Sequence, residues 1–164
     1  MDSTDVSSNA PPRHVTEAPG MDHAASLAAQ DEFIRLDRAE SFRLLAGVPL
    51  GRLIFTSNAL PAVRPMNFAL VDGLIVLRTA VGTTVARKVH DMIVAFEADD
   101  LDPATSSGWS VTVTGRAALV TDSSTIARYQ AVALVPWAPG VRDQFVTITT
   151  ELVEGLRVRG PLDS

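Results

Sequence analysis

The chain has 164 residues and a formal net charge of −5 at pH 7, a length that fits one domain with its own core and a charge that disfavours nucleic acid as a partner. It contains no cysteine and three histidines, which excludes thiol catalysis, disulfides and zinc–thiolate sites and argues against a metal site. No apolar run approaches the roughly 20 residues of a membrane span, and no signal-peptide pattern opens the chain, so we expect a cytoplasmic protein without membrane contact.

Two regions are predicted. Residues 1–31 are expected to form a disordered leader, because Ser, Thr, Asn, Pro, Ala and Gly dominate and no apolar periodicity precedes Phe33. Residues 32–160 are expected to form the folded domain.

A short helix opens the predicted domain. Asp37 is a good N-cap, and Glu40 follows three positions later in a capping-box pattern. Gly47 and Pro49 are expected to end the helix.

Three strands with tight connections are predicted next. They cover residues 53–56, 62–70 and 74–78, each rich in apolar and β-branched side chains. A turn at 58–61 joins the first pair. Asp72-Gly73 joins the second pair and is the strongest hairpin signal in the chain.

The next stretch is predicted to alternate between helix and strand. A short helix should run from Thr83 to about His90, and a strand should cover residues 92–98. An acidic loop with Pro and Ser is expected over residues 99–108. A strand with one wet face should follow over residues 109–120, because Ser and Thr alternate with Val there.

The last predicted elements are a helix and two β-segments. Ser123 or Ser124 should cap a helix that ends near Leu134, and β-structure should cover 145–152 and 156–159. Hairpin-linked strands without strict βαβ alternation predict a mainly β fold, an antiparallel barrel with peripheral helices. The chain also lacks the GxGxxG and Walker motifs of nucleotide folds.

The first candidate binding segment is Arg64-Pro65-Met66-Asn67. A proline inside a strand gives up a ladder hydrogen bond, so we expect a strand edge or a bulge here, with backbone groups free to bind a ligand. Arg64 adds a cation and Asn67 an amide. The alternative is that Pro65 only protects a strand edge from aggregation.

The second candidate segment is the junction between strand and helix. Gly82 allows unusual backbone angles, and Thr83 and Thr84 add hydroxyl donors to the first free amides of the helix, which together favour an anion. The alternative is an ordinary Thr-capped helix. Further groups predicted to bind at this junction or complete its charge are Arg78, Thr79, Arg87 and Lys88, the last being the single lysine among 14 basic residues.

Other polar and aromatic residues give weaker signals. Trp109 could stack on a planar ligand or lie in the core or at a subunit contact. The acidic residues of 99–102 lack EF-hand spacing and indicate a solvated turn. No Ser-His-Asp set can be assembled and no GxSxG elbow occurs, so the chemistry of a phosphate-binding protein of this kind would come from a cofactor.

Taken together, the motifs resemble the pyridoxamine 5'-phosphate oxidase-like family of FMN-binding split barrels, in its short actinobacterial form, from about Leu36 to Arg159. The resemblance rests on order and spacing of short motifs: Gly51-Arg52-Leu53, Arg64-Pro65-Met66-Asn67-Phe68, Asp72-Gly73, Arg78-Thr79, Gly82-Thr83, Val94-Ala95-Phe96-Glu97, Gly108-Trp109-Ser110-Val111 and Thr114-Gly115-Arg116.

This resemblance implies a six-stranded antiparallel split β-barrel that forms a homodimer, with FMN sites at the interface. Pro65, Met66 and Asn67 would line the isoalloxazine ring, and Trp109 would approach from the partner subunit. The residues implied to hold the ribityl phosphate are Arg78, Thr79, Thr83 and Thr84.

One position departs from the family pattern. Thr84 stands where the family commonly has a phosphate-binding lysine. Lys88 or Arg87 could bind the phosphate instead, or the cofactor could be a deazaflavin. Haem is disfavoured because His90 is the single histidine of the predicted domain. Residues that would recognise pyridoxal phosphate are not evident.

The expected function is that of a flavin-dependent oxidoreductase acting on an unidentified small molecule. The alternative is a non-catalytic flavin or deazaflavin binding or sensing module, which the scarcity of acid–base residues favours.

Overall fold

Eight strands and three helices occupy residues 33–132 and 140–160, which are the residues that the computed structural model describes. The predicted leader and Trp137 lie outside these residues. The elements are β1 (Phe33–Leu36), α1 (Arg38–Leu45), β2 (Leu50–Ser57), β3 (Leu60–Val71), β4 (Leu74–Thr79), α2 (Thr84–Lys88), β5 (Ile93–Asp102), β6 (Ser107–Leu119), α3 (Ser123–Ala131), β7 (Gln144–Ile148) and β8 (Leu152–Val158).

Six of the strands close into an antiparallel barrel. The order around the ring is β6, β5, β2, β3, β4 and β7, and pairing of β7 with β6 completes it. β8 adds to β6 outside the ring, and β1 adds to β8. The predicted six-stranded split barrel is therefore confirmed.

The barrel splits along one edge of β6. Residues 108–114 of β6 pair with β8, and residues 117–119 pair with β7. Between the two, the backbone of Gly115 lies so close to Thr149 that a Cβ at position 115 would sit 1.7 Å from the Thr149 carbonyl oxygen. Thr149 Oγ1 also accepts a 2.8 Å hydrogen bond from the Arg116 amide. Glycine is thus required where β6 changes partner.

Both predicted tight turns are present. Asp72 and Gly73 adopt φ values of 50° and 77°, and Asn58 and Ala59 adopt 54° and 63°. Two successive positive φ values match the right-handed twist of the flanking strands, which explains why Asp-Gly joins β3 to β4 so tightly.

Helix α1 begins as predicted. Asp37 Oδ1 accepts a 2.8 Å hydrogen bond from the Glu40 amide, and Ser41 Oγ donates to the Asp37 carbonyl. The Glu40 carboxylate binds Arg43 and Arg157, and its hydrogen bond to Arg43 is the main cause of a lowered Glu40 pKa. This carboxylate ties the helix to β8.

The predicted acidic loop over residues 99–108 is wrong. β5 continues to Asp102 and β6 begins at Ser107, so a short turn joins them. Asp99 faces Arg52 on β2, which neutralises its charge within the sheet. The Asp102 carboxylate accepts hydrogen bonds from the Ala104 amide and the Thr105 hydroxyl, and these bonds lower its pKa. Pairing across strands thus overrides the weak strand propensity of aspartate.

The elements near the C-terminus also differ from prediction. Asp122 caps α3, rather than Ser123 or Ser124, and hydrogen bonds from Ser124 and Thr125 lower its pKa to about 2. The helix ends at Ala131, before the predicted Leu134. The predicted segment 145–152 is interrupted after Ile148, and β1 carries no strong sequence signal.

The barrel interior forms the main hydrophobic core. Its fully buried side chains include Leu53, Leu77, Phe96, Val113 and Val146. A smaller cluster outside the barrel packs Val76, Tyr129 and Phe145 beneath α3.

Replacing Gly115 with alanine should destabilise the protein by about 2 kcal/mol or more, because the new methyl group meets rigid backbone at the split. Chemical denaturation measures the change. Thr114→Ala, one residue earlier on the outer face of β6, is the control and should cost less than about 1 kcal/mol. Equal stability of the two variants would contradict the required close approach.

Candidate functional site

Among the described residues, strand β3 pairs with one strand only over its first half, which leaves a free edge. All of residues 60–67 pair with β2, but pairing with β4 covers residues 68–71 alone. Pro65 lies in the half with one partner, as its missing N–H requires. The edge predicted from Pro65 is therefore present in the described residues, and it lies beside the start of α2.

A groove of about 450 Å³ opens beside this edge. We call it the arginine groove. Its lining residues are Arg64, Pro65, Met66, Thr79, Gly82, Thr83, Thr84, Val85, Arg87 and Arg142. Seven of the residues predicted to bind a cofactor are therefore neighbours, although they come from two separate segments of the chain, residues 64–66 and 79–84.

The arginine groove is strongly positive. Arg64 comes from β3, Arg87 from α2 and Arg142 from the segment before β7, and no acidic residue is among the described lining residues. The formal charge of the lining is therefore +3. Guanidinium groups bind phosphate and carboxylate oxygens through paired hydrogen bonds, so the groove is suited to an anion.

Two threonine hydroxyls form a pair at the base of this groove. Thr79 Oγ1 and Thr83 Oγ1 lie 2.9 Å apart, and Thr79 is 2% exposed. Thr83 also caps α2, since its Oγ1 accepts a 3.3 Å hydrogen bond from the Ala86 amide. The cap takes one of the helix-start amides that the sequence suggested for an anion, and the arginines supply most of the positive charge.

Two further predicted residues support the walls of the site. Asn67 Nδ2 donates a 3.1 Å hydrogen bond to the Pro49 carbonyl. Arg78 Nε donates to the carbonyl of Arg142, and the Arg78 guanidinium lies 3.5 Å from Asp143. Arg78 thus holds the segment that carries Arg142, while its own side chain lies outside the groove lining.

Lys88 and Trp109 lie away from the arginine groove. Lys88 Nζ donates to Ser57 Oγ and to Asn58 Oδ1, which fastens α2 to the β2–β3 turn. Trp109 is 9% exposed, packs in the core at the start of β6 and lines a separate pocket with Arg157. Whether either residue contacts a cofactor stays a prediction.

A second groove of about 420 Å³ meets the first at Pro65. We call it the acidic groove. Its lining residues are Val48, Pro49, Leu50, Gly51, Arg52, Pro65, Asp99, Asp100 and Leu101.

The charge of the acidic groove is set by the partners of Arg52. The guanidinium binds both Asp99 and Glu97, and these hydrogen bonds raise the Arg52 pKa, with Asp99 as the larger cause. Asp100 adds a further negative charge, so the described lining residues carry a formal charge of −1, and Glu97, which lies outside the lining, adds one more negative charge beside Arg52. The two grooves on either side of Pro65 therefore have opposite charge.

The sequence missed Arg142 as a site residue. It precedes β7 in a segment without a strong pattern, and it reaches the groove because β7 pairs with β4, which places Gln144 opposite Thr79. That pairing spans more than 60 residues of chain. A local sequence pattern does not contain it.

The described residues give no support to a metal site or to a haem site that uses His90. No group of three or more His, Asp or Glu side chains could hold a metal ion there. His90 is exposed, and its Nδ1 accepts a 3.1 Å hydrogen bond from the Leu119 amide, away from both grooves.

No helix of the described part is long and apolar enough to cross a membrane.

Comparison with known proteins identifies the family. The family model of pyridoxamine 5'-phosphate oxidase matches residues 37–158, which include the strands of the barrel and all residues of both grooves. The chain belongs to the pyridoxamine 5'-phosphate oxidase family. The resemblance drawn from the sequence motifs is thereby confirmed.

Relatives of this pyridoxamine 5'-phosphate oxidase family member include a mycobacterial protein. The uncharacterized protein Rv0080 of Mycobacterium tuberculosis is 44% identical over 146 residues, covering 86% of this chain and 95% of the relative.

Solved structures agree with the barrel. The FAD binding protein from Mycobacterium smegmatis is 32% identical with a TM-score of 0.66, over 77% of this chain and 98% of that one. A FAD-binding protein from Mesorhizobium loti has 19% identity and a TM-score of 0.58, over 76% and 96% of the two chains, and supports the fold alone.

If the arginine groove binds anions, sulfate should stabilise the protein in proportion to its occupancy. Arg64→Gln and Arg87→Gln should each lower sulfate affinity about three- to tenfold, the effect of losing one charged hydrogen-bond donor. Thermal shift against sulfate concentration measures this. Arg128→Gln, whose side chain pairs with Asp72 outside the groove, should leave sulfate affinity unchanged. Equal effects of all three substitutions would rule out a localised site.

Proposed function

We propose that this protein binds a flavin nucleotide and uses it as a flavin-dependent oxidoreductase acting on a small molecule. The observation that carries the proposal is the arginine groove, with three arginines and two paired threonine hydroxyls beside an exposed strand edge. A planar cofactor that carries a phosphate needs a positively charged site for the phosphate and an adjacent surface for its ring. The family and the name of the Mycobacterium smegmatis relative support a flavin.

The residues of the arginine groove fit the phosphate end of such a cofactor. Arg64, Arg87 and Arg142 would neutralise the phosphate, and Thr83 and Thr84 would donate to its oxygens. The free edge of β3 around Pro65 and Met66 would offer backbone hydrogen-bonding groups to the polar rim of the ring. FMN is the form we propose, because its single phosphate matches one compact cluster of donors.

Arginine and threonine are poor proton donors and acceptors at neutral pH, and neither a carboxylate nor a histidine lines the arginine groove in the part of the chain that the structure describes. The chain's residues would therefore bind and orient the cofactor and exclude water. The bound flavin would supply hydride or electron transfer.

The acidic groove is proposed as the place of the second reactant, since it meets the arginine groove at Pro65. Its single arginine is held by Asp99 and Glu97, so it offers no unopposed cation. A phosphorylated substrate would be repelled there. We accordingly propose an uncharged or cationic substrate and do not propose pyridoxamine 5'-phosphate.

A homodimer is also proposed, on the basis of an uncharged, mostly apolar row across the outer face of the sheet. Strand register places Leu152, Thr114, Ala95, Ile54 and Val63 side by side on five neighbouring strands. Leu152 is 51% and Val63 48% exposed. The outer face of an antiparallel sheet is usually polar, so an uncharged row of five favours a second copy of the same face.

The protein purified without added cofactor should carry a yellow flavin, and heat release followed by chromatography should identify it as FMN. Thr83→Ala with Thr84→Ala should weaken FMN binding by about 1–3 kcal/mol through lost phosphate hydrogen bonds. Ser123→Ala with Ser124→Ala, at the start of α3, is the matched control and should leave binding unchanged. Wild-type protein that leaves FMN, FAD and deazaflavin fluorescence unquenched would refute the proposal.

The same experiment separates the alternatives. Released FAD or deazaflavin would correct the proposed cofactor. Bound flavin that is never reduced or reoxidised by a nicotinamide donor and a quinone acceptor would favour the binding or sensing module.

The proposed dimer should separate when charged side chains are introduced into its uncharged row. Val63→Glu with Leu152→Glu should yield folded monomers in sedimentation equilibrium, because two buried carboxylates per subunit would face each other across the interface. Ala127→Glu, on the exposed side of α3, should leave the dimer intact. A wild-type protein that sediments as a monomer at micromolar concentration would contradict the dimer.

A further inference from the structure

The hydrogen bonds around Thr83 determine which way its hydroxyl points. A threonine hydroxyl donates one hydrogen and accepts through two lone pairs. Thr83 Oγ1 already accepts from the Ala86 amide at 3.3 Å and lies 2.9 Å from Thr79 Oγ1. One hydroxyl of the Thr79–Thr83 pair must donate to the other.

The burial of Thr79 favours one of the two arrangements. Thr79 is 2% exposed, and among the described residues its hydroxyl has one hydrogen-bond partner, Thr83. If Thr83 donated to Thr79, the Thr79 hydrogen would be buried without an acceptor, which is costly. Thr79 therefore donates to Thr83.

The side-chain oxygen of Gln144, which has no hydrogen-bond partner among the described residues, agrees with donation from Thr79 to Thr83. Gln144 lies opposite Thr79 on β7, and directly opposed residues share a face of the sheet. Its Oε1 would be the natural alternative acceptor for the Thr79 hydrogen. Among the described residues, this oxygen is the one buried side-chain polar atom without a hydrogen-bond partner. The Thr79 hydroxyl is thus committed to Thr83.

We propose that Thr79 is a positioning residue that makes Thr83 a donor toward the arginine groove. With both lone pairs of Thr83 Oγ1 occupied, its hydrogen is the part left for a ligand. This corner then selects a ligand oxygen that accepts hydrogen bonds, such as an ionised phosphate or sulfate oxygen, over a hydroxyl or amide donor. The inference deepens the proposed function, since it rests on an anion in the arginine groove.

Sulfate is the probe, because all of its oxygens accept and none donates near neutral pH. Calorimetric titration should give about a tenfold or greater loss of affinity for Thr83→Val, which removes the donor itself. Thr79→Val should cost about three- to tenfold, although it leaves Thr83 in place. Thr79→Ser, which keeps the hydroxyl and drops the methyl group, should bind within about twofold of wild type.

The double variant distinguishes positioning from direct contact. If Thr79 acts through Thr83, the variant with both valines should bind sulfate no more weakly than Thr83→Val alone. Additive losses would overturn the proposal, because Thr79 would then contact the ion independently. An unchanged affinity of Thr79→Val would overturn it as well.

Gln144→Leu provides the matched test of the alternative acceptor. It should leave sulfate affinity unchanged or raise it, because a competing acceptor for Thr79 is removed. A loss as large as that of Thr79→Val would overturn the assigned direction. If Thr79→Val fails to fold by circular dichroism, Thr79→Ala compared with Thr79→Ser repeats the test for the hydroxyl group.

These sulfate titrations can succeed or fail independently of the test for flavin binding. Coupled losses of sulfate affinity in a protein that binds no flavin would support the hydroxyl direction and refute the flavin. Flavin binding that is insensitive to substitution of Thr79 and Thr83 would support a flavin protein, but it would refute the hydroxyl direction and the placement of the phosphate at these threonines.

Discussion

The shared edge of β6 is the constraint on which the rest of the structure depends. One strand pairs first with β8 and then with β7, and the change of partner at Gly115 is what closes six strands into a barrel while leaving two outside. Closure also brings β7 against β4. Without that pairing, Arg142 and Gln144 would not reach Thr79, and the arginine groove would lose one wall.

The free half of β3 turns this framework into a binding site. A closed barrel satisfies the backbone groups of its strands, so ligand binding by backbone needs a place where pairing stops. Here the pairing of β3 with β4 ends at Phe68, three residues from Pro65, which has no backbone N–H to donate. Two grooves of opposite charge meet at Pro65. A cofactor phosphate and an uncharged or cationic reactant would be sorted to opposite sides by electrostatics alone.

Sequence predicted the local features well. The Asp37 cap, the Asp72-Gly73 hairpin and the edge at Pro65 follow from the chemistry of single residues, and each is present in the structure. The motif order also identified the family correctly. Predictions were wrong where pairing at a distance decided the outcome: the aspartates after Ala98 belong to a strand because Arg52 compensates one of them.

The connection between β7 and β8 has a consequence for how this family can vary. Residues 149–151 form this connection, in which Thr149 lies against Gly115 and Thr150 is anchored to the Gly73 carbonyl and to Arg38. An insertion here would have to bulge into backbone already in contact, whereas added residues in the β5–β6 turn would project into solvent. Natural length variation should therefore collect at that turn, with the three-residue connection kept constant in length.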